Sequence, residues 1–150
     1  MKTSRLILFL ALLVALPSLV SAAAANAGLG RVRAILIVAS NEQGPVDPKL
    51  AEYDANLRRL LRFESFRWAA EGSAVVPETG NSTVALVRDH KIELTGDGRT
   101  IRATWFEGSR RVLALALPDG PSILGGPPWS DKGEVCAIIL IREPIARAGK

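Results

Sequence analysis

The chain has 150 residues, of which 23% are charged and 48% hydrophobic, a balance that fits one globular domain and excludes a disordered or collagen-like chain. Its net charge of +4 comes from 19 basic and 15 acidic residues. Two of the basic residues, Lys2 and Arg5, fall in an expected leader, and the +2 that remains is too near neutrality to argue for a nucleic-acid surface.

Residues 1–27 read as a secretory signal peptide and its cleavage region. Met1–Arg5 is basic, and Leu6–Val20 is apolar apart from Pro17 and Ser18. The small residues of "SAAAANA" then offer cleavage after Ala22 or Ala27. The apolar run is shorter than the ~20 residues of a membrane span, so no transmembrane segment is expected after cleavage. A periplasmic or secreted location follows. Residues 28–31 are expected to be a flexible lead-in, 32–143 a single globular domain and 144–150 a tail.

"VRAILIVAS" (Val32–Ser40) is apolar on both parities, as a strand buried on both faces must be. Asp47 and Pro48 then form a helix start signal, N-cap followed by N1 proline. Leu50, Tyr53, Leu57, Leu60 and Leu61 make one stripe of that helix. Arg58, Arg59 and Arg62 gather at its C-terminal end, where cations complement the macrodipole. From Glu64 the period becomes two. Phe66, Trp68, Ala70, Ala74 and Val76 are expected to share one face of a strand. "TVALV" and "KIEL" are strand-like, with Arg88-Asp89-His90 as a turn or bulge and Asp89-His90 as a solvated pair. Asp97-Gly98 signals a hairpin. In "TIRATWF", Ile101, Ala103 and Trp105 point inward. "VLALAL" and the short "SIL" are further strands, and "EVCAIILIRE" is the second strand apolar on both faces.

One strand, one helix, then strands at short spacing predict an α+β domain: an antiparallel sheet or sandwich of about six to seven strands with one amphipathic helix packed on it. The two doubly apolar strands belong in the sheet interior, with the helix stripe over one face there.

The stretch "SILGGPPWSDKGEV" (Ser122–Val135) is the strongest candidate for chemistry. A phosphate loop needs free backbone N–H groups at the mouth of a helix. Pro127 and Pro128 remove two such donors, and a strand follows. The expected role is a strand end, a stiffened loop and a turn at Ser130–Gly133, with Trp129 capping the core or presented at a rim. Other chemistry is thinly supplied. One histidine and one cysteine, His90 and Cys136, make no metal set. Cys136 reads as a buried, inert thiol. Glu64, Glu71, Glu78 and Glu93 show no paired spacing. No cofactor or metal is expected, and the chain reads as no enzyme.

"VRAILIVASN", "VDPKLAEYDANLRRLLRFESFRWAAEG" and "ILGGP" followed by "GEVCAIILI" together resemble a group of small exported bacterial proteins. In that group a D-P-x-L helix leads into an L-x-F-x-S-F/Y-R strand, and a G-G-P loop precedes the last strand. The resemblance spans Val32–Arg142. It implies a bacterial cell-envelope or secreted setting and assigns no activity. The functional expectation is therefore a non-catalytic envelope module that binds a protein partner or assembles with itself. The alternative is a small-ligand or glycan binder using Trp129 and nearby loops. Trp129, Lys132, Arg58 and Arg62 are the candidate contacts.

Overall fold

A computed structural model describes residues 28–144; the expected leader, residues 1–27, and the expected tail after Pro144 lie outside the described residues. The chain forms β1 (Gly30–Ser40), a 3-10 turn (Pro48–Leu50), α1 (Asp54–Leu61), β2 (Ser65–Val76), β3 (Thr79–Ala85), β4 (His90–Asp97), β5 (Thr100–Glu107), β6 (Arg110–Ala116), β7 (Gly120–Pro128) and β8 (Val135–Glu143). Two four-stranded sheets result, ordered β2-β1-β8-β7 and β3-β4-β5-β6, with every pairing antiparallel. This is the expected antiparallel α+β sandwich, with eight strands rather than six or seven. Among the described residues no helix is long and apolar enough to cross a membrane.

The first sheet separates two cores. Val32, Ala34 and Leu36 of β1 and Cys136, Ile138 and Leu140 of β8 face the second sheet. The alternate residues, Ile35, Ile37 and Ala39 with Ala137 and Ile139, face Leu50 and Leu57. Side chains alternate along a strand, so a strand that feeds two cores must be apolar at every position. The doubly apolar strands lie side by side in the sheet interior, in register from Arg31 opposite Glu143 to Ala39 opposite Val135. β1 begins at Gly30, and Leu29 N–H donates to Val76 O at 2.8 Å, so most of the expected lead-in is tied into the sheet.

The helix is shorter than the sequence suggests. Asp47 caps as expected, its Oδ1 accepting from Lys49 N at 2.9 Å. Its Oδ2 accepts from Trp68 N at 2.9 Å, which pins this turn to β2. The pinned segment tightens to i→i+3 bonds (Leu50 N to Asp47 O, Tyr53 N to Leu50 O), and α-helical bonding starts only with Leu57 N to Tyr53 O. Arg62 ends α1 in the left-handed region at φ 56°. Leu50 and Leu57 are fully buried, whereas Leu60 is 52% exposed and leaves the expected stripe.

β2 also departs from simple alternation. Ile37 pairs with Trp68 and Leu36 with Ala70, which leaves Ala69 as a bulge. The extra residue reverses the parity. Phe66 and Trp68 therefore pack on the helix side, while Ala70, Ala74 and Val76 pack between the sheets. At the β4–β5 hairpin Asp97 pairs with Thr100, so the two-residue turn is Gly98-Arg99, one residue later than expected, with Gly98 at φ 63°.

Leu57→Ala should cost about 2–5 kcal/mol, the range for truncating a fully buried leucine. Leu60→Ala should stay within about 0.5 kcal/mol, as exposed sites do. Urea melts of both variants check this; comparable losses would mean that α1 does not present Leu57 to the sheet.

Candidate functional site

Gly125-Gly126-Pro127-Pro128 lies within β7, not in a loop. β7 is an edge strand, where missing N–H donors are tolerated, and its pairing with β8 is interrupted between Gly125 and Pro128. The turn is Ser130–Gly133, closed by Trp129 N to Glu134 O at 2.8 Å. Gly126 is there for contact. A Cβ at that position would overlap Cη2 of Trp105, so the buried indole fills the place of a side chain.

Trp105 organises this end of the sandwich. Its Nε1 donates to Nδ1 of His90 at 3.1 Å. His90 is 3% exposed, which corrects the expected solvated Asp89-His90 pair. The register explains it: His90 lies on the parity of Ile92 and Leu94, which face the core. The accepting Nδ1 fixes the neutral ring with its proton on Nε2. Burial pushes the His90 pKa down from 6.5, and Glu107 and Asp89 oppose that while Arg88 adds to it.

Trp129 packs against the sandwich core, with its ring centroid 6.1 Å from that of His90. The Arg88 guanidinium lies 3.8 Å from the Trp129 ring centroid and donates from Nη1 to Trp129 O at 3.0 Å. Arg88 and Asp89 both have positive φ, 55° and 59°, a costly conformation for residues other than glycine. The strained turn thus delivers Arg88 onto the tryptophan, covering ring surface that a sugar would stack on.

Lys132, at the tip of the same turn, faces a different feature. A cavity of about 190 Å³ is lined by Ser40, Glu42, Arg67, Lys132 and Glu134. Ser40 and Arg67 also line a more apolar cavity of about 300 Å³ beneath the Gly44–Pro48 segment, whose walls include Val38, Val46 and Phe66. The two cavities of this cleft share Ser40 and Arg67 as walls. Arg67 pairs with Glu134, and Ser130 Oγ donates to the other carboxylate oxygen at 2.9 Å. These contacts hold the Glu134 pKa below the usual carboxylate range, Arg67 first among them.

The remaining candidates do not converge. Arg58 pairs with Asp54 at 2.7 Å and donates to Glu64 O, so it binds its own helix and the loop after it. Arg62 is the helix C-cap. Neither touches Trp129 or Lys132. Glu71 pairs with Arg33 on the helix side of the first sheet, while Glu93 pairs with Lys91 on the outer face of the second. These carboxylates are on opposite sides of the sandwich. Cys136 is buried, donates from Sγ to Pro127 O at 3.2 Å, and has its pKa raised to about 11, chiefly by burial. Among the described residues no group of three or more His, Cys, Asp or Glu is placed to hold a metal ion.

One feature was invisible in the sequence. The four sheet edges differ. β7 carries Pro121, Pro127 and Pro128. β2 gives its Trp68 N–H to Asp47. β3 packs against β2 between the sheets, where a Cβ on Gly72 would come within 2.7 Å of Val84 Cγ1. The fourth edge, β6, pairs only with β5, and among the described residues nothing hydrogen-bonds its outer side. From Val112 to Ala116 it carries no proline and no charge. Leu113 and Leu115 are only partly buried against the core.

The His90–Trp105 bond makes stability depend on pH. Folding lowers the His90 pKa, so the unfolded chain takes up a proton more readily. The stabilisation is complete above 6.5 and is lost as pH falls below it toward the lower folded-state value. Urea midpoints of the native chain should fall more than those of His90→Gln between roughly pH 7.5 and pH 5. An identical pH dependence in the two proteins would contradict a neutral, buried His90.

No family model matches the chain, nor does any curated protein or solved structure, so the functional reading rests on this geometry.

Proposed function

We propose that the protein is a non-catalytic, exported module of the bacterial cell envelope that works by accepting an additional β-strand along β6. The observation that carries this reading is the contrast among the edges: prolines interrupt β7, the Asp47 carboxylate holds an amide of β2, β3 packs against β2, and among the described residues nothing pairs with the outer side of β6. An unpaired strand edge is a template for another chain, and soluble proteins suppress it where it has no use. The leader-like segment before Ala22 and the resemblance to small exported bacterial proteins support the setting. The internal use of His90, as acceptor to Trp105, and of Cys136, as donor to Pro127, supports a role without catalysis.

A second reading is favoured by the cleft. Its apolar walls and its Arg67–Glu134–Lys132 end suit a small amphipathic ligand better than Trp129, which Arg88 covers, suits a glycan.

A photo-crosslinking side chain placed at Ala114 or Ala116, in cells that make the protein, tests the edge reading. Adducts are expected from these two sites and none from Thr95, on the flat outer face of the same sheet. Absence of adducts from β6, or equal labelling from Thr95, would leave the cleft as the better site.

A further inference from the structure

We infer that the strand accepted by β6 is the β6 of a second copy of this chain, antiparallel across a two-fold axis at Ala114. The inference rests on the edge reading and names the partner.

The first ground is self-complementarity. Pairing with β5 is irregular near Val112, where Trp105 pairs with Leu113 but Phe106 pairs with Arg111. The regular segment begins at Leu113. A two-fold axis at Ala114 sets Leu113 of each copy opposite Leu115 of the other, on the face where both already touch the core. Each half-buried leucine then gains an apolar neighbour on its uncovered side. On the outer face Ala114 meets Ala114, next to Thr104 of β5. These side chains are small and let the sheet continue without obstruction.

The second ground is charge. Arg110 and Arg111 stand at one end of β6. Like charges directly opposite one another destabilise a strand pair. The antiparallel two-fold places the two arginine pairs at opposite ends of the ribbon, facing Leu117 and Pro118 of the other copy. Arg110 is also paired with Glu107 of its own chain. The strand therefore tolerates its own copy without burying or opposing a charge.

The third ground is closure. A two-fold contact uses the same patch on both copies and ends growth there. Joining β6 to β6 merges two four-stranded sheets into one continuous sheet whose outer strands are the two copies of β3, each packed against β2 of its own chain. A finite pair results rather than a fibre.

Sedimentation equilibrium on the mature chain, the native protein beside Leu115→Lys, gives the first readout. The native mass should be that of two chains, and Leu115→Lys should sediment as one chain while keeping its folded circular-dichroism spectrum. Ala114→Cys gives the second readout and does not depend on a disruptive charge. Opposed Cβ atoms about 4.5–5.5 Å apart are within reach of a disulfide after small adjustment. Mild oxidation should yield a covalent dimer, while Thr95→Cys should not, and buried Cys136 does not compete. A native dimer that persists in Leu115→Lys would place the interface elsewhere and overturn the inference. A native monomer whose Ala114→Cys variant fails to cross-link would also overturn it. If that monomer still forms photo-adducts of a different mass from position 114, the edge reading stands and the partner is another protein. If no adduct forms at all, both fail.

Discussion

The whole architecture depends on the pairing of β1 with β8. Ala34–Ala39 of β1 and Cys136–Leu140 of β8 are buried on both faces, so neither stretch has a side that water can reach. Their backbone N–H and C=O groups must find partners within the sheet, since an unpaired buried group is costly. β8 is therefore held on its two sides by β1 and β7, and β1 by β2 and β8. Everything else covers these two strands. The Asp47 turn and α1 close one face with Leu50 and Leu57, and the second sheet closes the other with Ile92, Leu94, Ile101 and Ala103. The helix is too short to be stable alone, so it exists because it completes a core.

At one end of the sandwich the cover is a single side chain. Trp105 fills the space against Gly126, and its one polar atom is satisfied by His90. That choice consumes the only histidine as a neutral acceptor. The same packing seats Trp129, and the strained Arg88-Asp89 turn seals it. The aromatic that looked most available for recognition is thus tied into structure. Among the described residues, the groups left open include the Lys132 end of the cleft and the β6 edge, both peripheral to the cores.

What the sequence revealed follows from how local each cause is. The two-faced apolar runs of β1 and β8 were legible because double burial leaves no polar position. Ile101, Ala103 and Trp105 were legible from plain alternation. The Asp47-Pro48 start was legible, but not the Asp47–Trp68 bond that shortens the helix, because its partner lies in another element. The bulge at Ala69 reversed the parity of β2 without any glycine or proline to announce it. His90 read as a turn residue because only the β4–β5 register shows it facing inward. Gly126 and its prolines read as a loop because edge position, which tolerates them, is a property of the assembled sheet. Of the candidate contacts, Lys132 lines a cleft, Trp129 is packed, and Arg58 and Arg62 serve the helix. The β6 edge was illegible for the same reason as the loop: an edge is defined by the strands that are absent beside it.

Native-state hydrogen exchange, resolved by residue, tests the central role of the β1–β8 pair most directly. Amides of Ile35–Val38 and Ile138–Leu140 should exchange only through global unfolding, with the same free energy as the whole domain. Amides of the second sheet should open at equal or lower cost, and those of α1 at lower cost. If β4 and β5 instead outlast β1 and β8, the second sheet is the independent core and the doubly buried pair is not what the fold is built on.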